Sequence, residues 1–259
     1  MEQAYVKSET HQGITYIEFF HPQSNSLPGK VLEDLAKEIH YAGTHNETKV
    51  IVLKSASKNL PAGKAGTFCS GASFDELIAI KNETEGLKFF SGFAHVINAM
   101  RKCPKLIIGR IQGKCVGGGV GLAAAVDYAI ATNNAEIKLS ELAVGIGPFV
   151  VGPVVERKIG TSAFSQLAID ATMWRNADWA KRKGLFAETH DTIEAMDESI
   201  QRLANTLSHS SPQAMAEMKK IFWKGTDSWD ELLIERAKIS GSLVLSDFTK
   251  MAIAKFKKK

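Results

Sequence analysis

The chain has 259 residues, a net charge of +4 and 23% charged residues, long enough for one large domain whose core needs no staples. That balance neither demands nor excludes acidic small ligands or weak nucleic-acid contact, whereas Cys69, Cys103 and Cys115, odd in number and widely spaced, form no close-set metal pattern and fit free thiols in a reducing compartment. No stretch approaches 18 apolar residues, and Met1-Glu2-Gln3-Ala4-Tyr5-Val6 runs directly into strand-like alternation, so a cytoplasmic, soluble protein without a leader or membrane span is expected. Residues 5–10 and 14–20 alternate as the strands of a hairpin around Gln12-Gly13. A turn-rich break, His21-Pro22-Gln23-Ser24-Asn25-Ser26-Leu27, leads to a helix in which Val31, Leu35 and Ile39 recur every four residues. Residues 50–53 are a short, wholly apolar strand of the doubly buried kind. Residues 58–64, with Pro61 and Gly63, read as a loop, and residues 67–73 hand a strand over to a helix opening at Phe74. A longer helix over 85–100 places Leu87, Phe90, Phe93, Ala94, Ile97 and Met100 on one face, and Pro104 stops it. Strands at 106–111, 126–131 and 135–139 follow, the first leading into a glycine loop and the last ending at Ser140-Glu141. Beyond residue 150 strand signals stop, and 154–159, 162–169, 178–183, 193–207, 212–223, 229–243 and 246–257 all read as helices, with caps at Thr161, Ser211 and Ser246. Alternation followed by helices only predicts an α/β core with an α-helical C-terminal region.

The glycine loop, Val116-Gly117-Gly118-Gly119-Val120-Gly121-Leu122, lies between an apolar strand and small helix-forming residues, so its free N–H groups point at an anion. A dinucleotide pyrophosphate would require G-x-G-x-x-G; Gly117, Gly119 and Gly121 give G-x-G-x-G, with Leu122 where the last glycine should stand. A purely structural reading, in which the glycines let a helix pack closely on a strand, stays open. Three segments, Cys69-Ser70-Gly71, Gly117-Gly118-Gly119 and Ser140-Glu141, each end a strand, and in an α/β sheet such ends converge on a ligand. Two loops offering N–H groups and one carboxylate suit enolate chemistry, the N–H pair holding an oxyanion while the carboxylate moves a proton. For Glu141 the competing reading is an exposed carboxylate at a helix start.

These segments resemble the crotonase, or enoyl-CoA hydratase/isomerase, superfamily. Phe68-Cys69-Ser70-Gly71-Ala72 is similar to its F-C-A-G-A-D loop, Gln112 to Gly119 to its N-G-x-x-x-G-G-G, and Ser140 to Pro148 to its P-E-x-x-x-G-I-x-P stretch. His21-Pro22 with Asn25-Ser26-Leu27 matches the early N-P-x-x-x-N-A-L turn, and Val126-Asp127-Tyr128-Ala129-Ile130-Ala131 the C-D-x-x-I-A strand. The resemblance implies a crotonase-like α/β spiral of ββα units over 1–195, followed by a helical trimerisation region over 196–259. It implies an acyl-CoA thioester substrate, no separate cofactor, no metal, and a homotrimer or dimer of trimers. Ser70 and Gly118 are expected to supply the oxyanion N–H groups and Glu141 the proton transfer. Cys69, Gly71, Ala72 and Gly117 are expected to line the substrate site, and Lys255 to meet the CoA phosphates.

At Gly121 many hydratases of the family carry a second glutamate. With Glu141 alone, moving a proton from one carbon of the acyl chain to another is the simplest chemistry, as in the family's 3,2-enoyl-CoA isomerases, whose later stretch is similar to Gly145-Ile146-Gly147-Pro148-Phe149. Hydration with one carboxylate, of short-chain or methylglutaconyl type, is the first alternative; a non-catalytic crotonase fold binding acyl-CoA or RNA through the basic tail is the second. Ser73 stands where the family usually has Asp, and the loop 58–66 is longer than usual, so the acyl specificity is open. Asp127 reads as structural, His95 as a packed or rim residue, and Trp174, Trp179, Trp223 and Trp229 as helix-packing anchors. No neighbouring base marks Cys69 as a nucleophile, and the lysine tail reads as a solvated terminus rather than a nucleic-acid patch.

Overall fold

A computed structural model of the chain describes residues 3–56 and 66–257. In chain order the elements are β1 (Tyr5–His11), β2 (Ile14–Phe20), α1 (Gly29–Thr44), β3 (Val50–Ser55), β4 (Gly66–Cys69), α2 (Phe74–Ala79), α3 (Glu83–Lys102), β5 (Leu106–Ile111), β6 (Gly113–Val116), α4 (Gly118–Ala125), β7 (Tyr128–Thr132) and β8 (Glu136–Lys138). A 3₁₀ turn (Leu142–Val144) leads on to α5 (Gly152–Ile169), β9 (Arg175–Asn176), α6 (Ala177–Arg182), β10 (Glu188–His190), α7 (Ile193–Ser208), α8 (Pro212–Phe222), α9 (Trp229–Leu243) and α10 (Asp247–Lys257). The strands form two sheets, ordered β1-β2-β3-β5-β7-β10 and β4-β6-β8-β9. Successive strand pairs, β3 with β4, β5 with β6 and β7 with β8, send one strand to each sheet before a helix returns the chain. That repeat is the expected spiral of ββα units. Parallel pairing within both sheets keeps the strand ends on one side, and parallel strands with helices over them need apolar runs such as Val50-Ile51-Val52-Leu53, all buried.

The helical periods place their faces as expected. Val31, Leu35 and Ile39 of α1 and Phe90, Phe93, Ala94, Ile97 and Met100 of α3 enter the main core. The apolar stripe of α7, Met196, Ile200 and Ala204, covers the six-stranded sheet against Ile14, Val50, Val52, Ile108 and Ile130. The boundary expected between 195 and 196 therefore falls inside α7, a helix of the sheet layer, while α8, α9 and α10 make up the C-terminal helical region. Among the described residues no helix is long and apolar enough to cross a membrane.

Four sequence expectations need correction. Strands do occur beyond residue 150: β9 and β10 have two and three residues of polar sequence, too short for alternation to register. The helices expected at 154–159 and 162–169 are both present, as the two segments of α5 that meet at Gly160, whose φ 79° and ψ 157° are non-helical. Thr161, expected as a cap, instead donates to Glu156, whereas Ser211 and Ser246 do accept from the N–H groups of Ala214 and Thr249. The glycine stretch is also not an open loop: residues 113–116 are strand β6, and α4 begins at Gly118. Lastly, Trp223 and Trp229 pack edge to face, but Trp174 stands outside the helices with the Lys114 and Lys138 ammonium groups 4.8 and 4.3 Å from its ring centre. The loop expected at 58–64 lies outside the described residues.

Asp127, read from sequence as structural, ties the C-terminal helices to the sheet. Its carboxylate accepts from the Ile107 N–H at 2.8 Å, pairs with Lys219 at 2.9 Å and takes the Trp223 indole N–H at 3.4 Å. Asp127 and Lys219 side chains are 6% and 3% exposed, so each charge depends on the other for its solvation. Asp127→Ala is expected to lower unfolding free energy by about 3 to 5 kcal/mol in denaturant melts, with part of the loss recovered when Lys219→Met is added. A loss in the double variant equal to the sum of the losses of Asp127→Ala and Lys219→Met alone would show that the pair is not coupled.

Candidate active site

Two backbone turns and one carboxyl meet at the ends of β4, β6 and β8. The early turn braces the first: the Asn25 side-chain amide donates to the Ala56 and Thr67 carbonyls at 3.0 Å each, and the Leu27 N–H donates to the Gly71 carbonyl at 2.8 Å. In that brace the Ser70 N–H donates to the Ser24 carbonyl at 3.2 Å, and the Gly71 N–H leans on Cys69 Sγ at 3.4 Å. Ser70 is thus spent on holding the turn and is a poor match for the expected oxyanion donor. The next amide is that of Ala72, which has no acceptor among the described residues.

The second turn begins where Gly117, with φ +51°, swings the chain from β6 into α4 while its N–H donates to the Lys138 carbonyl at 2.9 Å. Gly118 is the first residue of α4, and a first-turn N–H has no acceptor within its own helix. The two turns touch: a Cβ on Gly71 would lie 2.7 Å from the Val116 carbonyl oxygen and 3.5 Å from the Gly118 nitrogen. Gly118 is needed for a reason that its sequence alone did not suggest. A Cβ there would run into the ring of Phe93, on α3, before it crowded any ligand.

Glu141 follows β8 and opens the 3₁₀ turn, where its own carbonyl accepts from the Val144 and Ile146 N–H groups at 3.1 and 2.9 Å. A Cβ on Gly117 would stand 2.8 Å from Glu141 Oε1, so the carboxyl lies directly against the glycine turn. The residue as a whole keeps some exposure, but Oε2 is buried and has no hydrogen-bond partner among the described residues. Desolvation pushes this carboxyl up to about 7, opposed only by a hydrogen bond from its own backbone. The reading of Glu141 as an exposed helix-start carboxylate is therefore overturned. Near neutral pH such a group both accepts and returns a proton readily.

These groups open on a narrow, apolar cleft of about 70 Å³. Ser70, Gly71, Ala72, Gly117, Gly118 and Glu141 all line it, together with walls to which the sequence assigned no part in the site: Leu77 from α2, Phe90 and Phe93 from α3, and Ser240 from α9. Nothing in the pattern of α3 separates residues that face a cleft from those that face the core. Cys69 sits behind the first turn, fully buried, with its thiol pushed up to about 12 by desolvation, which leaves it no thiolate with which to attack. Lys255 is exposed on α10 and does not line the cleft; α10 approaches the site through Phe248 and Thr249, beside Gly145. Gly121 faces Val151, whose Cγ1 would lie 2.6 Å from an added Cβ. Asp127 and the exposed His95 are absent from the lining.

The family model described as enoyl-CoA hydratase/isomerase matches residues 9–259. A probable enoyl-CoA hydratase of Bacillus subtilis is 25% identical over 250 residues, covering 96% of this chain and 93% of the relative. A (7aS)-7a-methyl-1,5-dioxo-2,3,5,6,7,7a-hexahydro-1H-indene-carboxyl-CoA hydrolase of Mycobacterium tuberculosis is 22% identical, covering 80% of this chain and 79% of that protein. The crystal structure of an enoyl-CoA hydratase from Bacillus halodurans superposes with a TM-score of 0.86 at 20% identity, covering 97% of this chain and 99% of the other, which shows a shared fold.

The buried carboxyl has a stability signature. Its folded-state pKa, about 7, lies above the ordinary 4.5, so between those values the folded protein keeps a proton that the unfolded chain has released. Glu141 therefore costs nothing below the lower value, and its cost is complete above the higher one. From below pH 4.5 to above pH 7, Glu141→Gln is expected to gain on the parent by on the order of 3 kcal/mol in denaturant melts. A difference that does not vary with pH would mean that the carboxyl is solvated.

Proposed function

The chain belongs to the enoyl-CoA hydratase/isomerase family, and from that premise we propose that it moves a double bond along an enoyl-CoA thioester, with Glu141 as the single proton carrier. The observation that carries this reading is that Glu141 is the one ionisable side chain among the described residues lining the cleft. In the proposed step the Glu141 carboxylate takes a proton from C2 of a 3-enoyl thioester. The electron pair spreads onto the thioester oxygen, where the N–H groups of Ala72 and Gly118 hold the charge. The protonated carboxyl then returns its proton to C4, leaving a 2-enoyl thioester and a carboxylate ready for the next cycle. Preorganised amides suit an oxyanion because they need no reorganisation as charge arrives, and loss of one such donor typically costs about 10²- to 10³-fold in rate. Ala72 replaces Ser70 in this assignment because the Ser70 N–H is committed to Ser24.

Hydration with one carboxylate is the second reading, favoured by the name of the Bacillus subtilis relative. Gly121 tells only against hydration with two carboxylates, because Val151 fills the space into which a second carboxylate at this position would have to extend. Exposed Met218, Ile221 and Phe222 on α8 offer an apolar face to a second copy, which supports self-assembly as a homotrimer or dimer of trimers.

Glu141→Gln is expected to lower kcat by at least about 10²-fold while leaving thioester binding intact, and kcat/KM of the parent should rise through a midpoint near 7 as Glu141 loses its proton. Full activity in the variant would remove Glu141 from the mechanism. Conversion of 3-enoyl-CoA to 2-enoyl-CoA faster than 2-enoyl-CoA takes up water supports isomerisation; the reverse order would establish the hydratase reading. Gly121→Glu alone should destabilise the fold by about 1 to 3 kcal/mol through overpacking, and Val151→Gly in the same chain should relieve it. Equal stability of the two variants would show that Val151 does not close this position.

A further inference from the structure

The chemistry of the cleft walls also bears on which acyl groups can enter. Phe74 and Leu77 of α2, Phe90 and Phe93 of α3, and Phe149 beyond the 3₁₀ turn surround the proton carrier with rings and aliphatic carbon. Four phenyl rings in so narrow a space leave mainly apolar surface for whatever lies beyond the thioester. The polar side chains on the lining are the hydroxyls of Ser70, Ser140 and Ser240, which can meet a neutral polar atom but cannot neutralise a charge. No lysine, arginine or histidine lines the cleft among the described residues.

We propose that this site is selective for uncharged, hydrocarbon acyl groups and rejects acyl groups of the same length that end in a second carboxylate. The proposal rests on the reading that the cleft receives an acyl thioester, and it adds the class of acyl group. A hydrocarbon tail gains from leaving water for the aromatic walls. A terminal carboxylate entering the same walls loses its hydration and finds no cation among the described lining residues to replace it. It also meets Glu141, which carries the same charge once ionised, so the penalty grows as that carboxyl loses its proton. Deep sites that accept charged acyl groups need a cation in the wall to restore what hydration supplied; here that place is taken by phenyl rings.

Binding rather than turnover is the test, so that failure of the isomerase reading is seen separately. Isothermal titration of the full-length protein at pH 8 with pentanoyl-CoA, glutaryl-CoA and free CoA compares a hydrocarbon tail, a carboxylated tail of the same carbon count and no tail on one carrier. Pentanoyl-CoA is expected to bind at least about 10-fold more tightly than CoA, and glutaryl-CoA at least about 10²-fold more weakly than pentanoyl-CoA. Comparable affinity for pentanoyl-CoA and glutaryl-CoA would overturn the proposal, as would pentanoyl-CoA binding no better than free CoA. If the expected ratios hold while no enoyl-CoA is converted, the acyl selectivity stands and the isomerase reading falls.

Discussion

The site is built on the burial of one carboxyl group without a hydrogen-bond partner for its inner oxygen. Glu141 Oε2 has no protein donor among the described residues, and the carboxyl rests against a turn where Gly117 has no side chain to displace it. A buried, unsatisfied polar atom is normally destabilising, and the fold holds it in place through the bonded backbone on either side. The Glu141 carbonyl accepts two N–H groups of the following turn, and β8 before it pairs with β6. Strain of this kind is tolerated where the surroundings over-determine the geometry and where function requires a group poised between two protonation states.

The ββα spiral is what brings the separate parts together. Because each unit places its second strand in the same small sheet, the ends of β4, β6 and β8 are neighbours although Cys69 and Glu141 are remote in sequence. The first turn is further fixed by a segment remote in sequence, Ser24 to Leu27, whose hydrogen bonds leave the Ala72 amide as the next one open. On the other side α3 presses Phe93 against Gly118 so closely that only glycine fits. Gly118 thus serves close packing, and in the proposed reaction the same turn presents its N–H group, so that the structural and anion-binding readings of that segment describe the same atoms.

Much of this was legible in the chain. Apolar residues at helical spacing marked α1 and α3, a wholly apolar run marked β3, and short motifs in order marked the family and the place of Glu141. What escaped had physical reasons. β9 and β10 are too short and polar to carry a period, and their existence depends on partners, β8 and β7, that are distant in sequence. The loss of Ser70 as a donor could not be read from its motif, because a backbone N–H can be claimed by any carbonyl the fold brings near, here that of Ser24. Phe93 likewise read as an ordinary helix-face residue and Val151 carried no signal of its own; only contact with Gly118 and Gly121 shows that they set what those positions can hold. The raised pKa of Glu141 is a property of its enclosure, which no local pattern encodes.

The central claim is that one buried carboxyl, unpaired and set against the glycine turn, is poised near neutrality. Its most direct measurement is the ¹³C chemical shift of the Glu141 side-chain carboxyl, labelled at glutamate and assigned by its loss in Glu141→Gln, followed across a pH titration of the folded protein. A midpoint near 7 is expected from the desolvated site. A midpoint at the ordinary value of 4.5 would contradict it, because the carboxyl would then be solvated or paired and no longer suited to pass a proton back and forth.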